Sequence, residues 1–345
     1  MKRRVSRIPR GLPRHAALRG LPTPIRFLAL SVLAVGILGS RMAMAEPLTV
    51  RIGHFPNITH VQALVARNFE RHNNDWFAPR LGPDIKLAWY VYNAGPSAME
   101  AIFTDAIDLT YVGPSPALNA HIRSQGEEVR VVAGAVDGGS ALVVQPDGNL
   151  KIPADFRGKR IATPQFGNTQ DIAIRAWLTA GGLRVTPTGG DVQVVPTENP
   201  DQLALFKAKQ LDAVWTVEPW VSRLELDSGG RVLVDDRDAV TTVLVSSAKF
   251  LRQHGDLVAR FVAAHRELTD WINLHPAEAK AMVREELGAI VHAELPSAVT
   301  ERAFGRMRVT SAISLDAFKS WVEQAQQVGF IKAPPDLSRF VEPIR

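Results

Sequence analysis

A chain of 345 residues without a single cysteine forms no disulfide, so its stability has to come from a packed core, which this length can bury. Its 40 Lys and Arg against 35 Asp and Glu give a formal charge of +5, yet nine of the basic side chains and none of the acidic ones lie in the first 45 residues. Without that segment the balance is 31 against 35, about −4, which leaves no basic stripe for nucleic acid.

Met1 to Arg26 is Arg-rich, Phe27 to Gly39 is apolar, and Ala43-Met44-Ala45 has the small-x-small pattern that signal peptidase reads. The apolar run has 13 residues, short of the roughly 20 that span a bilayer core. Residues 1–45 are therefore expected to be a signal peptide cut between Ala45 and Glu46, by the general secretory route rather than the twin-arginine one. With no cysteine to carry a lipid, the expected product is soluble in a bacterial periplasm.

From Glu46 onward short β-branched runs alternate with helical stretches, the pattern of an α/β protein. Strands are expected at Leu48–Ile52, Lys86–Tyr92, Leu109–Val112 and Val129–Ala133. Helices are expected at Val61–Phe69 and Ser97–Thr104, the second opened by Ser97-Ala98-Met99-Glu100 as a capping box. The second half repeats the plan, with strands at Arg160–Thr163, Val192–Val195 and Leu211–Val214. A helix at Thr169–Ala180 closes on Gly181-Gly182, and another opens at Asn199-Pro200-Asp201-Gln202 with Asn199 as its cap.

The halves match each other locally. Ile107-Asp108-Leu109 through Gly113-Pro114 parallels Leu211-Asp212-Ala213 through Glu218-Pro219, which argues for two lobes on one βαβαβ plan. Val136–Gln145 and Val240–Ser246 read as two strands crossing between them. The predicted organisation is lobe one at 46–141 plus 241–345 and lobe two at 142–240. Beyond Lys249 the chain is helical, at His254–Leu274, Ala277–Glu286 and Leu315–Val328, with no chemistry visible there.

In open parallel sheets, ligands lie beyond the carboxyl ends of the strands. Facing lobes would gather the loops at 55–60, 93–97, 113–116, 138–140, 165–169 and 215–220 around one cleft. Ser97, Ser115, Asn168 and Thr169 stand at or beside helix starts, where free N–H groups favour an anion; each can equally spend its side chain as a cap. Phe55, Tyr111, Phe166, Trp215 and Trp220 could wall an apolar tail. Glu218, before Pro219, suits an amine or guanidine on the ligand or, equally, a helix cap or a lobe-closing hydrogen-bond acceptor.

Enzyme readings are weaker. Gly113-Pro114-Ser115-Pro116-Ala117 resembles a nucleophile elbow, but Pro116 has no N–H to offer an oxyanion. His54 and His60 share a loop without an HExxH or CxxC motif, so no metal is expected. No glycine-rich phosphate loop is present, and no cofactor is expected.

Five segments then resemble one family: Phe55-Pro56-Asn57-Ile58-Thr59-His60, Ala94-Gly95-Pro96-Ser97, Tyr111 through Pro116, Gly167 through Asp171, and Trp215 through Trp220. They are similar to periplasmic substrate-binding proteins of ABC importers for nitrate, taurine and aliphatic sulfonates, the NMT1/THI5-like group. The resemblance covers about residues 47–275. It implies the type II two-lobe fold, each lobe a βαβαβ-based sheet flanked by helices, with no enzymatic activity. The implied partners are a small organic anion and an ABC permease with its cytoplasmic ATPase, without nucleic acid, and the implied state is a monomer. Carried over, ligand contacts fall on Asn57, Thr59, His60, Ser97, Ser115, Ser140, Asn168, Thr169, Trp215 and Glu218. No cleft lysine is evident, which favours a sulfonate or taurine-like ligand over nitrate. A pyrimidine or heteroaromatic thiamine precursor, or a sensor or enzyme on the same scaffold, stays open.

Overall fold

A computed structural model describes residues 46–342 and 344; the expected signal peptide and its cleavage site lie outside them. Residues 47–345 form one compact unit. Apart from a two-residue hairpin (Val185–Thr186 with Gly189–Gly190), the strands are β1 (Leu48–His54), β2 (Ile85–Val91), β3 (Leu109–Val112), β4 (Val129–Gly138), β5 (Ser140–Val144), β6 (Arg160–Thr163), β7 (Gln193–Pro196), β8 (Ala213–Val217), β9 (Arg231–Asp235), β10 (Val240–Ser247) and β11 (Met307–Val309). The helices that matter here are α1 (Val61–Arg71), α2 (Gly95–Phe103), α3 (Pro114–Arg123), α4 (Thr169–Ala180), α5 (Asn199–Lys207), α6 (Trp220–Ser228), α7 (Gly255–Leu274), α8 (Pro276–Val291), α9 (Ser297–Arg306) and α10 (Leu315–Gln327).

The strands build a six-stranded sheet, ordered β11-β4-β10-β3-β1-β2, and a five-stranded sheet, ordered β9-β5-β8-β6-β7. The two share a plan. In each, three parallel strands (β2-β1-β3 and β7-β6-β8) are followed by a strand antiparallel to the third, β10 in one and β5 in the other. That fourth strand comes from the other half of the chain, so β5 and β10 cross between the sheets. Gly138 and Gly139, both at positive φ (72° and 73°), make the turn from β4 into β5.

The sequence match between the halves has a structural cause. Asp108 and Asp212, each just before the third strand, accept the backbone N–H of Arg51 (2.8 Å) and Arg160 (2.9 Å), each just ahead of the ladder between the first and third strands. Each carboxylate thus satisfies a donor at the edge of the parallel ladder.

The core has three apolar layers. One face of the larger sheet packs on α1, α7 and α8 through Leu64, Phe261 and Val283. One face of the smaller sheet packs on α5 and α6 through Phe206 and Leu224. The layer between includes Ile102, Leu118, Leu142, Ile172 and Phe318, contributed by both sheets and by α2, α3, α4 and α10.

Two predicted caps are corrected. The helix expected from Ser97 begins at Gly95, with Ala94 as the capping residue and no side-chain cap, because Pro96 fits the first turn and places Ser97 a turn inside. Asn199 is the first residue of α5 rather than its cap. Its side chain goes elsewhere: Asn199 Oδ1 accepts from Thr216 Oγ1 at 3.0 Å, and its amide N–H faces Asn57 Oδ1 at 3.5 Å. Asn168 does cap α4, accepting from the Asp171 N–H at 2.8 Å. Local patterns mark neither β9, α9 nor β11, and they give α3 and α6 no bounds.

Candidate binding cleft

The loops after β1, β2, β3, β6 and β8 converge between the sheets on a narrow polar cavity of about 30 Å³, the space of roughly two waters. Its wall carries the starts of four helices: Ala94 and Gly95 at α2, Gly113 at α3, Asn168 and Thr169 at α4, and Asn199 at α5. The 3-10 turn of Thr59 and His60, ahead of α1, adds a fifth side. Helix starts, the positive dipole ends, therefore border the cavity from both halves.

The wall carries no Asp, Glu, Lys or Arg. His60 is buried and, held beside the equally buried His54, has its pKa pushed well below the usual histidine range, so it is neutral. His60 Nδ1 accepts the Phe55 N–H at 3.3 Å. Asp171 stands one turn into α4, yet its charge is turned away from the cavity. It accepts from Arg175 (3.0 Å), the Gly167 N–H (2.9 Å) and Thr163 (3.2 Å).

Two hydroxyls in this wall have no partner: Thr169 Oγ1 and Thr242 Oγ1, on residues only 4% and 1% exposed. A buried hydroxyl without a partner costs about 1–3 kcal/mol, so a group bound in the cavity that paired with either one would relieve that cost. Thr241 and Thr242 are neighbours in β10, yet both line the cavity. The register of β10 against β4 shifts on either side of Thr242, and such bulges re-aim side chains.

Contacts cross the cleft. Asn57 Oδ1 accepts the Trp220 indole N–H at 3.0 Å, and Ser97 meets the Gln165 amide at 3.2 Å. A Cβ on Gly113 would overlap Thr169 Oγ1, so the two loops touch only because Gly113 has no side chain.

Of the residues expected at the site, Asn57, Thr59, His60, Asn168 and Thr169 line this cavity. Ser140 and Trp215 line a second, larger one, where Trp215 Nε1 donates to Ser140 Oγ at 3.1 Å. Ser97 is outside the cavity wall, where its hydroxyl accepts from the Gln165 amide at 3.2 Å. Ser115 is buried in the first turn of α3 with an unpartnered hydroxyl, outside the cavity wall. Asn93, Gln170, Asn199, Thr241 and Thr242 line the cavity and were not expected.

Glu218 is fully buried and lies outside the wall of either cavity. Of its two sequence readings, the geometry matches the cap and closure. Its carboxylate accepts from Ser222 N–H (3.1 Å), Ser222 Oγ (3.0 Å) and Arg306 Nη1 (2.6 Å). Arg306, at the end of α9, also meets Glu225 (3.0 Å) and Asp235 (3.5 Å), clasping three carboxylates. Burial raises the Glu218 pKa above the ordinary glutamate range even with Arg306 beside it. Among the described residues there is no group of three or more His, Cys, Asp or Glu placed to hold a metal ion.

Two similar sheets, exchanged fourth strands and a polar cleft at the carboxyl ends of the parallel strands define a two-lobe, type II periplasmic-binding-protein fold. Solved structures agree. The alkanesulfonate-binding protein SsuA from Xanthomonas axonopodis pv. citri, bound to MOPS, superposes with a TM-score of 0.66 over 82% of this chain and 92% of that one, at 24% identity. The periplasmic nitrate-binding protein NrtA from Synechocystis PCC 6803 gives 0.65 over 85% and 86%, at 14% identity. The NMT1-like family model matches residues 43–285, and the chain belongs to that family. The taurine-binding periplasmic protein of Escherichia coli is 27% identical over 191 residues, 54% of this chain and 56% of the relative. Alignments with the curated relatives span 56% to 64% of the relative's length.

Proposed function

We propose that the protein is the periplasmic solute-binding component of an ABC importer for a small organic anion, an aliphatic sulfonate or taurine-like compound. The observation that carries this reading is the cavity between the lobes. It is ringed by helix starts, free of formal charge, and supplied with two buried hydroxyls that have no other partner. Such a wall suits a permanently charged oxyanion, bound by N–H and O–H donors without a counter-charge. The matching of the taurine-binding and alkanesulfonate-binding proteins supports the ligand class and the periplasmic location.

In this reading residues 1–45 are the export signal, 46–141 with 241–345 form lobe one, and 142–240 form lobe two. The mature protein is a monomer that binds without turnover. Asn57, Thr59, His60, Asn168 and Thr169 hold the anion, and Ser97 and Ser115 support the helix starts around it. The lobes close over ligand, because the cross-cleft contacts leave an ion too little room to enter. The permease and its ATPase are the partners that receive it. Nitrate is the weaker alternative.

Calorimetric titration with taurine, ethanesulfonate, nitrate and sulfate tests the reading, with a melt recorded for each. A true ligand raises stability by about 2.7 kcal/mol at a hundred-fold excess over Kd. No heat and no shift with any of the sulfonates would overturn the proposal.

A further inference from the structure

Beside the polar cavity lies a second pocket of about 280 Å³, and Thr169 and Thr241 belong to the walls of both. Its character is different. Trp177, Trp215 and Trp321 line it, together with the small side chains of Ala173, Ala176 and Ala180 of α4. Trp215 is fixed in orientation by its hydrogen bond to Ser140, which also receives the Gln170 amide at 3.3 Å. Gln324 and Gln327 of α10 stand with Asp236 around the pocket. Trp321, Gln324 and Gln327 follow the end of the family match at residue 285.

Three indoles around alanines make a wall for flat apolar matter, and ring-on-ring contact adds to simple burial. An apolar cavity near 150 Å³ is enough to take up benzene, so this volume suits a fused bicyclic ring or a comparably long alkyl chain. It is far larger than anything a two-carbon sulfonate such as taurine would fill. Thr169, whose hydroxyl has no partner, ties the two spaces together, since it belongs to the walls of both.

We propose that the two cavities are one bipartite site for an amphipathic anion: an oxyanion head at the helix starts and an aromatic or long-chain apolar tail among Trp177, Trp215 and Trp321. The inference rests on the anion reading above and narrows its ligand class. The carboxylate of Asp236 at the pocket excludes a second anionic group on the tail. An arylsulfonate with one charge fits; an aromatic disulfonate does not.

The test compares ethanesulfonate, 2-naphthalenesulfonate and 2,6-naphthalenedisulfonate by calorimetry on the same protein, together with Ala176→Phe, which fills the pocket from α4, and Gln324→Trp, which fills it from α10. Burying about 100 Å² of ring makes the naphthalenesulfonate some fifty-fold or more tighter than ethanesulfonate. The disulfonate binds more weakly than the monosulfonate. Each variant erases the naphthyl advantage while leaving ethanesulfonate affinity within about twofold, which also certifies that the variant is folded. Equal affinity for the ethyl and naphthyl compounds, or a naphthyl advantage that survives both variants, overturns the bipartite site and leaves the anion cavity standing. Failure of all three sulfonates to bind overturns the anion reading and this inference with it.

Discussion

Arg306→Met removes the one cation among the described residues that pairs with Glu218. The three carboxylates around Arg306 are not equally exposed to the loss. Glu225 retains Arg302 at 3.5 Å and Asp235 retains Arg237 at 3.0 Å, whereas among the described residues no other Lys or Arg pairs with the fully buried Glu218. The penalty therefore falls on Glu218, where stripping the partner from a buried ion costs about 3–5 kcal/mol. That cost exists only while Glu218 is ionised. Its pKa is already raised by burial, and losing Arg306 raises it further, so the variant's folded state binds a proton in a range where the unfolded glutamate does not. The stability difference from the parent is then smallest at acid pH, where about 1 kcal/mol of lost hydrogen bonding remains, and grows as pH rises through the raised pKa. Urea unfolding at about pH 5 and about pH 8 reads both values, and Glu218→Gln in the same background returns most of the loss at the higher pH. A deficit independent of pH, or below about 1 kcal/mol at about pH 8, would refute the assignment of the cost to Glu218.

The remaining predictions concern the cavity and the buried histidines. Thr169→Val removes an unpartnered buried hydroxyl, so it raises ligand-free stability by up to about 1 kcal/mol while weakening anion binding about tenfold or more; calorimetry showing unchanged affinity would place the ligand elsewhere. Gly113→Ala keeps an unstrained backbone (φ −67°) but drives a methyl into Thr169, so ligand-induced compaction in small-angle scattering shrinks and affinity falls about tenfold, and Thr169→Ala restores closure in the double variant. His265 donates from Nε2 to the Gly134 carbonyl (2.8 Å) and accepts the Tyr111 hydroxyl at Nδ1 (3.0 Å), and burial lowers its pKa to about 4, with His54 at about 3. The unfolded chain protonates these rings near 6.5, so their stabilising effect is whole above that pH and declines by about 1.4 kcal/mol per ring for each unit of acidification. Denaturation midpoints against pH should show this slope, and His265→Gln should flatten it by one ring's share.

Much of the fold was legible because it is written in local patterns. The ends of α4 coincide with the prediction, since Asn168 caps one end and Gly181-Gly182 closes the other. The lobe repeat was visible through Asp108 and Asp212, which recur because the residue ahead of the ladder between first and third strands leaves the same orphan N–H in each sheet. The misplaced caps at Ser97 and Asn199 have a common origin. A polar residue beside a proline at a helix start fits either the cap or the first turn, and tertiary partners decide which. For Asn199 the decision comes from Thr216 and Asn57, far away in the chain.

The site was legible only where loops follow parallel strands, because that is where a general rule places ligands. Asn57, Thr59, His60, Asn168 and Thr169 fall under it. Thr241 and Thr242 do not, for they open an antiparallel strand, and alternation would send one of two neighbours away from the cavity. Only the shift of register in β10 turns both toward it, and nothing local in Val240-Thr241-Thr242-Val243 announces that shift. The role of Glu218 was undecidable for a parallel reason: its counter-ion, Arg306, is 88 residues away on a helix with no chemistry of its own. A carboxylate that ends a strand beside a cleft carries the same local signature whether it binds an amine or ties two lobes together. What separates the cases is the arrival of a guanidinium from the far end of the chain, so the exchange of strands and helices between the lobes decides which side chains are left free for a ligand.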